Sequence, residues 1–108
     1  MKILNLLILA VVISGTLFLS SGVSAAEHAR FTIIIYDTTG NPFWSKVVAG
    51  VNEAAKAFNV SVDTQFANND PVQQNNDIET AIASQVAGIG LAINVPNAYT
   101  DSIKRAID

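Results

Sequence analysis

The sequence predicts an α/β fold, a three-layer doubly wound parallel sheet with its strands in the order 2-1-3. Three observations carry this. The runs FTIIIY (31–36) and GIGLAIN (88–94) are apolar without strict alternation, as strands buried on both faces are. Apolar residues between and after the strands recur at helical spacing, so the chain reads β-α-β-α-β-α with short connections. Right-handed crossovers then apply, and the most apolar strands, the first and third, belong side by side. The chain reverses direction across the sheet between those two strands. In such sheets a ligand crevice lies beyond the carboxyl ends of the strands at the reversal.

Each element follows from local chemistry. Residues 26–30 are a polar lead-in, and FTIIIY is too short for a helix. DTTGN (37–41) is a loop in which Asn41 is a good N-cap and Pro42 a good first helical residue. Trp44, Val48, Val51, Ala55 and Phe58 then mark one face of a helix. Asn59 ends it, and VSVDTQF (60–66) alternates as a less buried strand. ANNDP (67–71) is a turn cluster. Ile78, Ile82, Ala83 and Val86 mark a second helix ending at Gly88, and the Asn/Gln/Asp-rich stretch 68–77 reads as solvated loop and helix start. After the third strand, Asn97 is expected to N-cap a third helix that still runs at Asp108. A three-stranded sheet with one edge unpaired and no stop signal near Asp108 reads as the front portion of a longer protein.

The first 25 residues stand apart. Met1-Lys2 is followed by the apolar stretch Ile3 to Leu19 and the small residues Val23-Ser24-Ala25, the layout of a secretory signal cleaved after Ala25. The Ser14-Gly15 break makes this segment short for a membrane anchor. The domain proper is therefore 26–108.

Composition narrows the function. The chain of 108 residues carries a formal charge of −3, and loss of Lys2 on cleavage leaves the exported chain more negative by a single charge. With no basic run, neither nucleic acid nor an anionic membrane surface is an expected partner. The absence of cysteine excludes a disulfide framework, a thiolate nucleophile, a Cys-ligated metal and a lipid-anchored cysteine. One histidine and scattered carboxylates argue against a zinc site. No nucleophile–base pair is visible, so neither an enzyme nor a cofactor is expected. Export without disulfides suits a bacterial periplasm.

The loop-and-helix start TTGNPFW opens onto the expected crevice. Spacing alone makes Trp44 a core residue in phase with Val48 and Val51. Yet a helix following strand 1 runs back antiparallel to it, so its first turn sits at the crevice end of the sheet. Aromatic faces there can stack on the apolar face of a small ligand while buried polar groups meet its polar atoms. Asn41 can cap through its oxygen and still offer its NH₂. Asp37 either begins the loop or serves as a strong hydrogen-bond acceptor for a ligand. Thr38 and Asn94 are weaker candidates of the same kind.

From Phe31 to Asp108 the sequence resembles a periplasmic sugar-binding protein of the ribose-binding type, the soluble receptor of an ATP-driven importer. The resemblance rests on an opening strand followed by GNPFW at a helix start, then VAGVNEAAKAFNVSV, NNDPVQQNNDIETAIASQVAGIGLAIN and PNAYTDSIKRAID. It implies the incomplete N-terminal lobe of a two-lobed receptor that closes on a small sugar or polyol and hands it to a membrane permease, the full-length protein being a monomer. It also implies that Asn41, Phe43 and Trp44 touch the sugar. Asp37 departs from the small hydroxyl residue of many relatives, and Asn94 to Asn97 match loosely, so the resemblance does not name the ligand. A sensory receptor presenting a sugar-like signal would share this cleft, and an exported α/β enzyme would need catalytic residues beyond Asp108. A sugar-responsive regulator would need a helix-turn-helix where the export signal stands.

Overall fold

In a computed structural model, residues 27–108 are described, and the expected signal peptide and its cleavage site lie outside them. The elements run β1 (Arg30–Ile35), α1 (Pro42–Phe58), β2 (Ser61–Phe66), α2 (Pro71–Ala83), β3 (Gly88–Ala92) and α3 (Thr100–Ile107). The sheet is parallel in the order β2-β1-β3, as the sequence predicts. β1 pairs along its length with β2, from Arg30 opposite Ser61 to Ile35 opposite Phe66, and with β3 from Phe31 opposite Gly88 to Ile35 opposite Ala92.

β1 is central because its side chains are apolar on both faces. The neighbours Ile34 and Ile35 point to opposite sides, and both are fully buried. Ile34 joins Ile78 and Ala81 of α2 and Tyr99 in the main core, with Ile82, Val86, Ile89, Leu91 and Ile103 packed around it. On the other face, glycines of β3 leave room for β1 side chains. A Cβ on Gly90 would lie 2.6 Å from Ile33 Cδ1.

Several details differ from the sequence reading. β3 is half-buried along its length, unlike β1, because it is an edge strand with one neighbour. It also stops at Ala92, and Ile93 turns out to solvent. α2 ends at Ala83, well before Gly88: Arg30 Nη2 donates to the Ser84 carbonyl at 2.8 Å, and Gln85 turns left-handed at φ 51°. Asn97 is not the N-cap of α3; it sits in a left-handed turn (φ 66°), and the helix starts after Tyr99, whose ring is held in the core at 2 % exposure. Phe58, expected on the buried stripe of α1, is exposed, and no residue of that helix is fully buried. Finally, the polar stretch 68–77 is not wholly solvated, since Gln74 is buried and donates from Nε2 to the Ala92 carbonyl at 2.8 Å.

Two of the three helix starts at the carboxyl end of the sheet, those of α1 and α2, are capped by side chains. Asn41 Oδ1 accepts from the Phe43 amide at 3.0 Å, with Pro42 at the first helical position as expected. Asp70 Oδ1 accepts from the Val72 and Gln73 amides at 2.9 and 3.3 Å, again with a proline following. Asp70→Ala is expected to lower stability by about 1 kcal/mol. Asp70→Ser should recover most of it, as thermal melts of the three proteins would show.

Candidate ligand-binding crevice

The turn after β1 is tied together by one carboxylate. Asp37 Oδ1 accepts from the Thr38 amide at 2.7 Å. Asp37 Oδ2 accepts from Asn41 Nδ2 at 2.7 Å and from the indole Nε1 of Trp44 at 3.1 Å. Donors one, four and seven residues along the chain thus converge on a single side chain. Asn41 is engaged at both ends, because its oxygen caps α1 while its NH₂ reaches back to Asp37. Ser45 adds a hydroxyl bond to the Asn41 carbonyl at 3.1 Å.

The aromatic rings are fixed by the same turn. Trp44 meets Tyr36 edge-on at 6.0 Å between centroids and Phe43 edge-on at 4.9 Å, the perpendicular arrangement that ring quadrupoles favour. Trp44 is half-buried, whereas Phe43 is 63 % exposed. A neighbouring turn buttresses this one. Asn68 and Asn69 are consecutive left-handed residues (φ 54° and 60°), a conformation asparagine tolerates better than most. Their amides donate to the carbonyls of Asp37 (3.1 Å) and Tyr36 (2.6 Å). The loops after β1 and β2 therefore form one hydrogen-bonded rim.

The local charge follows from these bonds. The Thr38 amide does most to hold the Asp37 carboxyl below its ordinary value; partial desolvation opposes it, and Asn41, Trp44 and Asn69 lower it further. Glu79 is also lowered, chiefly by its bond to Arg105, while burial raises Asp77. A carboxyl lowered on folding contributes stability above its ordinary value that disappears as pH falls through the folded value. Asp77 acts with the opposite sign. The stability gap between wild type and Asp37→Asn is accordingly expected to narrow as pH drops below the ordinary aspartate value of 3.8, read as melting temperature against pH.

The structure brings Asp37, Thr38, Asn41, Phe43 and Trp44 onto one turn. Asn94 lies two residues past the end of β3, on the adjacent loop, and is exposed. Sequence reasoning missed Tyr36, Asn68 and Asn69 in this rim. The dyad Asn68-Asn69 followed by Asp70-Pro71 was legible as a turn, but its contact with the first loop depends on strand pairing. Among the described residues there is no group of three or more His, Cys, Asp or Glu side chains arranged for a metal. No helix of these residues is long and apolar enough to cross a membrane. A separate apolar groove of about 380 Å³ runs between α2, β3 and α3, lined by Ile82, Ile89 and Ile103 among others, and holds none of the crevice residues.

Comparison with known proteins places this rim in a family. The periplasmic binding protein domain family matches residues 31–108, and the chain belongs to it. Similar solved structures include a periplasmic sugar-binding protein of an ABC sugar transporter from Legionella pneumophila, at 26 % identity and a TM-score of 0.69 over 74 % of this chain and 30 % of that one. Another is a sugar-binding protein of a sugar ABC transporter from Bacillus halodurans, at 32 % identity and a TM-score of 0.68 over 75 % and 28 %. A third is a carbohydrate transporter from Acidothermus cellulolyticus solved with myo-inositol, at 28 % identity and a TM-score of 0.69 over 74 % and 28 %. The chain thus spans under a third of the length of these relatives. Comparison with curated proteins gives no match.

Proposed function

We propose that this chain is the N-terminal portion of the substrate-binding receptor of an ABC-type importer, and that it binds a neutral sugar or polyol at the carboxyl end of its sheet. The observation that carries the reading is the turn itself. Within a periplasmic binding protein domain, Asp37, Asn41 and Trp44 converge at the strand ends where ligands of open α/β sheets lie. Asn41, Phe43 and Trp44 are the proposed contacts, with Asp37, Thr38 and Asn94 on the rim. Exposed Phe43 offers ring surface, and Asn41 keeps one amide hydrogen for a hydroxyl. The relatives' sugar ligands support this ligand class, and the myo-inositol complex extends it to cyclitols. The proposed partner is a membrane permease, reached in the periplasm after cleavage following Ala25.

A second lobe would supply the opposite wall and most of the hydrogen bonds. Residues 26–108 alone are expected to bind neutral pentoses, hexoses or myo-inositol no more tightly than millimolar, about −4 kcal/mol. Calorimetric titration tests this: weak or undetectable heats fit the two-wall receptor, and micromolar binding by 26–108 contradicts it.

A further inference from the structure

The donors around Asp37 define a role beyond membership of a binding surface. We propose that Asp37 is the positioning residue of the crevice, acting through Trp44 and Asn41 by holding the indole ring and the amide in the poses that meet the ligand. This inference rests on the sugar-binding reading for what the poses serve, but the positioning stands on the ligand-free protein.

The geometry demands a carboxylate. Three N–H groups, from Thr38, Asn41 and Trp44, point at the Asp37 side chain at 2.7, 2.7 and 3.1 Å. Only an acceptor without hydrogens of its own satisfies all three, because an ionised carboxyl has about four lone-pair sites and no donor. An asparagine at this position would turn its NH₂ towards one set of these donors. A small hydroxyl residue would be too short to reach the indole seven positions on and would offer a single oxygen. The second oxygen accounts for the two ligand-facing groups, since Asn41 Nδ2 and Trp44 Nε1 share Oδ2.

The rest of the turn removes the remaining freedom. With its nitrogen held, the indole cannot flip or swing without losing that bond, and Tyr36 and Phe43 block it edge-on from their own sides. Asp37 itself is held by its carbonyl, which accepts from the Asn68 amide at 3.1 Å. The chain segments that could carry Asp37 away are therefore tied to the loop after β2. A ring fixed before the ligand arrives spares the ordering cost that a free side chain would incur on binding.

Trp44 is the sole tryptophan of the chain, so its environment can be read without ligand. Near-ultraviolet circular dichroism of the full chain is expected to show a sharp indole band in the wild type. That band should be largely lost in Asp37→Asn while the far-ultraviolet helix signal is kept. A wild-type band in folded Asp37→Asn overturns the positioning role, because a residue needed only for stability would lower the melting temperature and leave the ring ordered. Should Asp37→Asn fail to fold, hydrogen exchange of the Trp44 indole N–H in the wild type decides the matter. Slowing by about tenfold or more relative to free indole supports the bond to Asp37, and exchange at the free rate overturns it. Titration with myo-inositol and arabinose reads the ligand class separately. If neither sugar shifts the Trp44 and Asn41 signals at concentrations above the millimolar Kd expected of this chain, while the indole band still depends on Asp37, the sugar-binding reading fails and the positioning role stands.

Discussion

In the full-length two-lobed receptor proposed above, Trp44→Ala is expected to weaken sugar binding roughly thirtyfold or more, about 2 kcal/mol, while costing the fold less than a buried tryptophan normally does. The two effects separate because of where Trp44 sits. Removing a core aromatic costs about 3 to 5 kcal/mol of stability. Trp44, however, is only half-buried, on a helix with no fully buried residue, and its ring meets Tyr36 and Phe43 of the same rim edge-on. Its loss should therefore cost stability nearer about 2 to 3 kcal/mol, the low end of aromatic pairing plus one charge-assisted hydrogen bond. Melting temperature and affinity measured on one preparation distinguish the cases. A large stability loss with unchanged affinity would leave Asn41 and Phe43 to carry the site without Trp44.

The largest effect on the fold is expected at Ile34. It is fully buried at the centre of the sheet, where α2 and Tyr99 close over it. Ile34→Ala removes three methyl or methylene groups from a fully buried site packed on one side by Ile78, Ala81 and Tyr99. A loss of about 3 to 4 kcal/mol is expected. That is a large share of the stability of a lobe this small, for which about 0.05 to 0.15 kcal/mol per residue is usual. Denaturant melts should show a lower midpoint with little change in slope. A shift under about 1 kcal/mol would mean that the core does not centre on β1.

What the sequence disclosed and what it hid divide along one physical line. Features set by neighbours in the chain were legible. The apolar run 31–36, the Asn41-Pro42 helix start and the αL-prone Asn59 after α1 each act within a few residues. Even the order 2-1-3 was reached, although β3 proved half-buried instead of as deeply buried as β1. Features set by distant partners were not legible. Gln74 looks like surface until its amide meets the Ala92 carbonyl eighteen residues away. Tyr99 looks like part of a loop until the cluster of Ile34, Ile78 and Ala81 claims it and decides where α3 begins. Asp37 lies between these cases. Its partners at positions 38, 41 and 44 are local, but two of them converge only because the chain turns sharply from strand into helix. The spacing Asp37, Asn41, Trp44 was the available signal. Its meaning as a shared acceptor required the geometry.

The most direct test of the crevice is a residue-resolved one. In ¹⁵N-correlated spectra of the chain, a panel of neutral pentoses, hexoses and cyclitols would be added to concentrations above the expected millimolar Kd. The account predicts that at least one sugar moves the Trp44 indole N–H, the Asn41 side-chain amide and the amides of the Asp37–Phe43 turn together and saturably. It also predicts that the residues of the α2–α3 groove stay still. Shifts confined to that groove, or no movement of the Trp44 and Asn41 signals with any member of the panel, would contradict it.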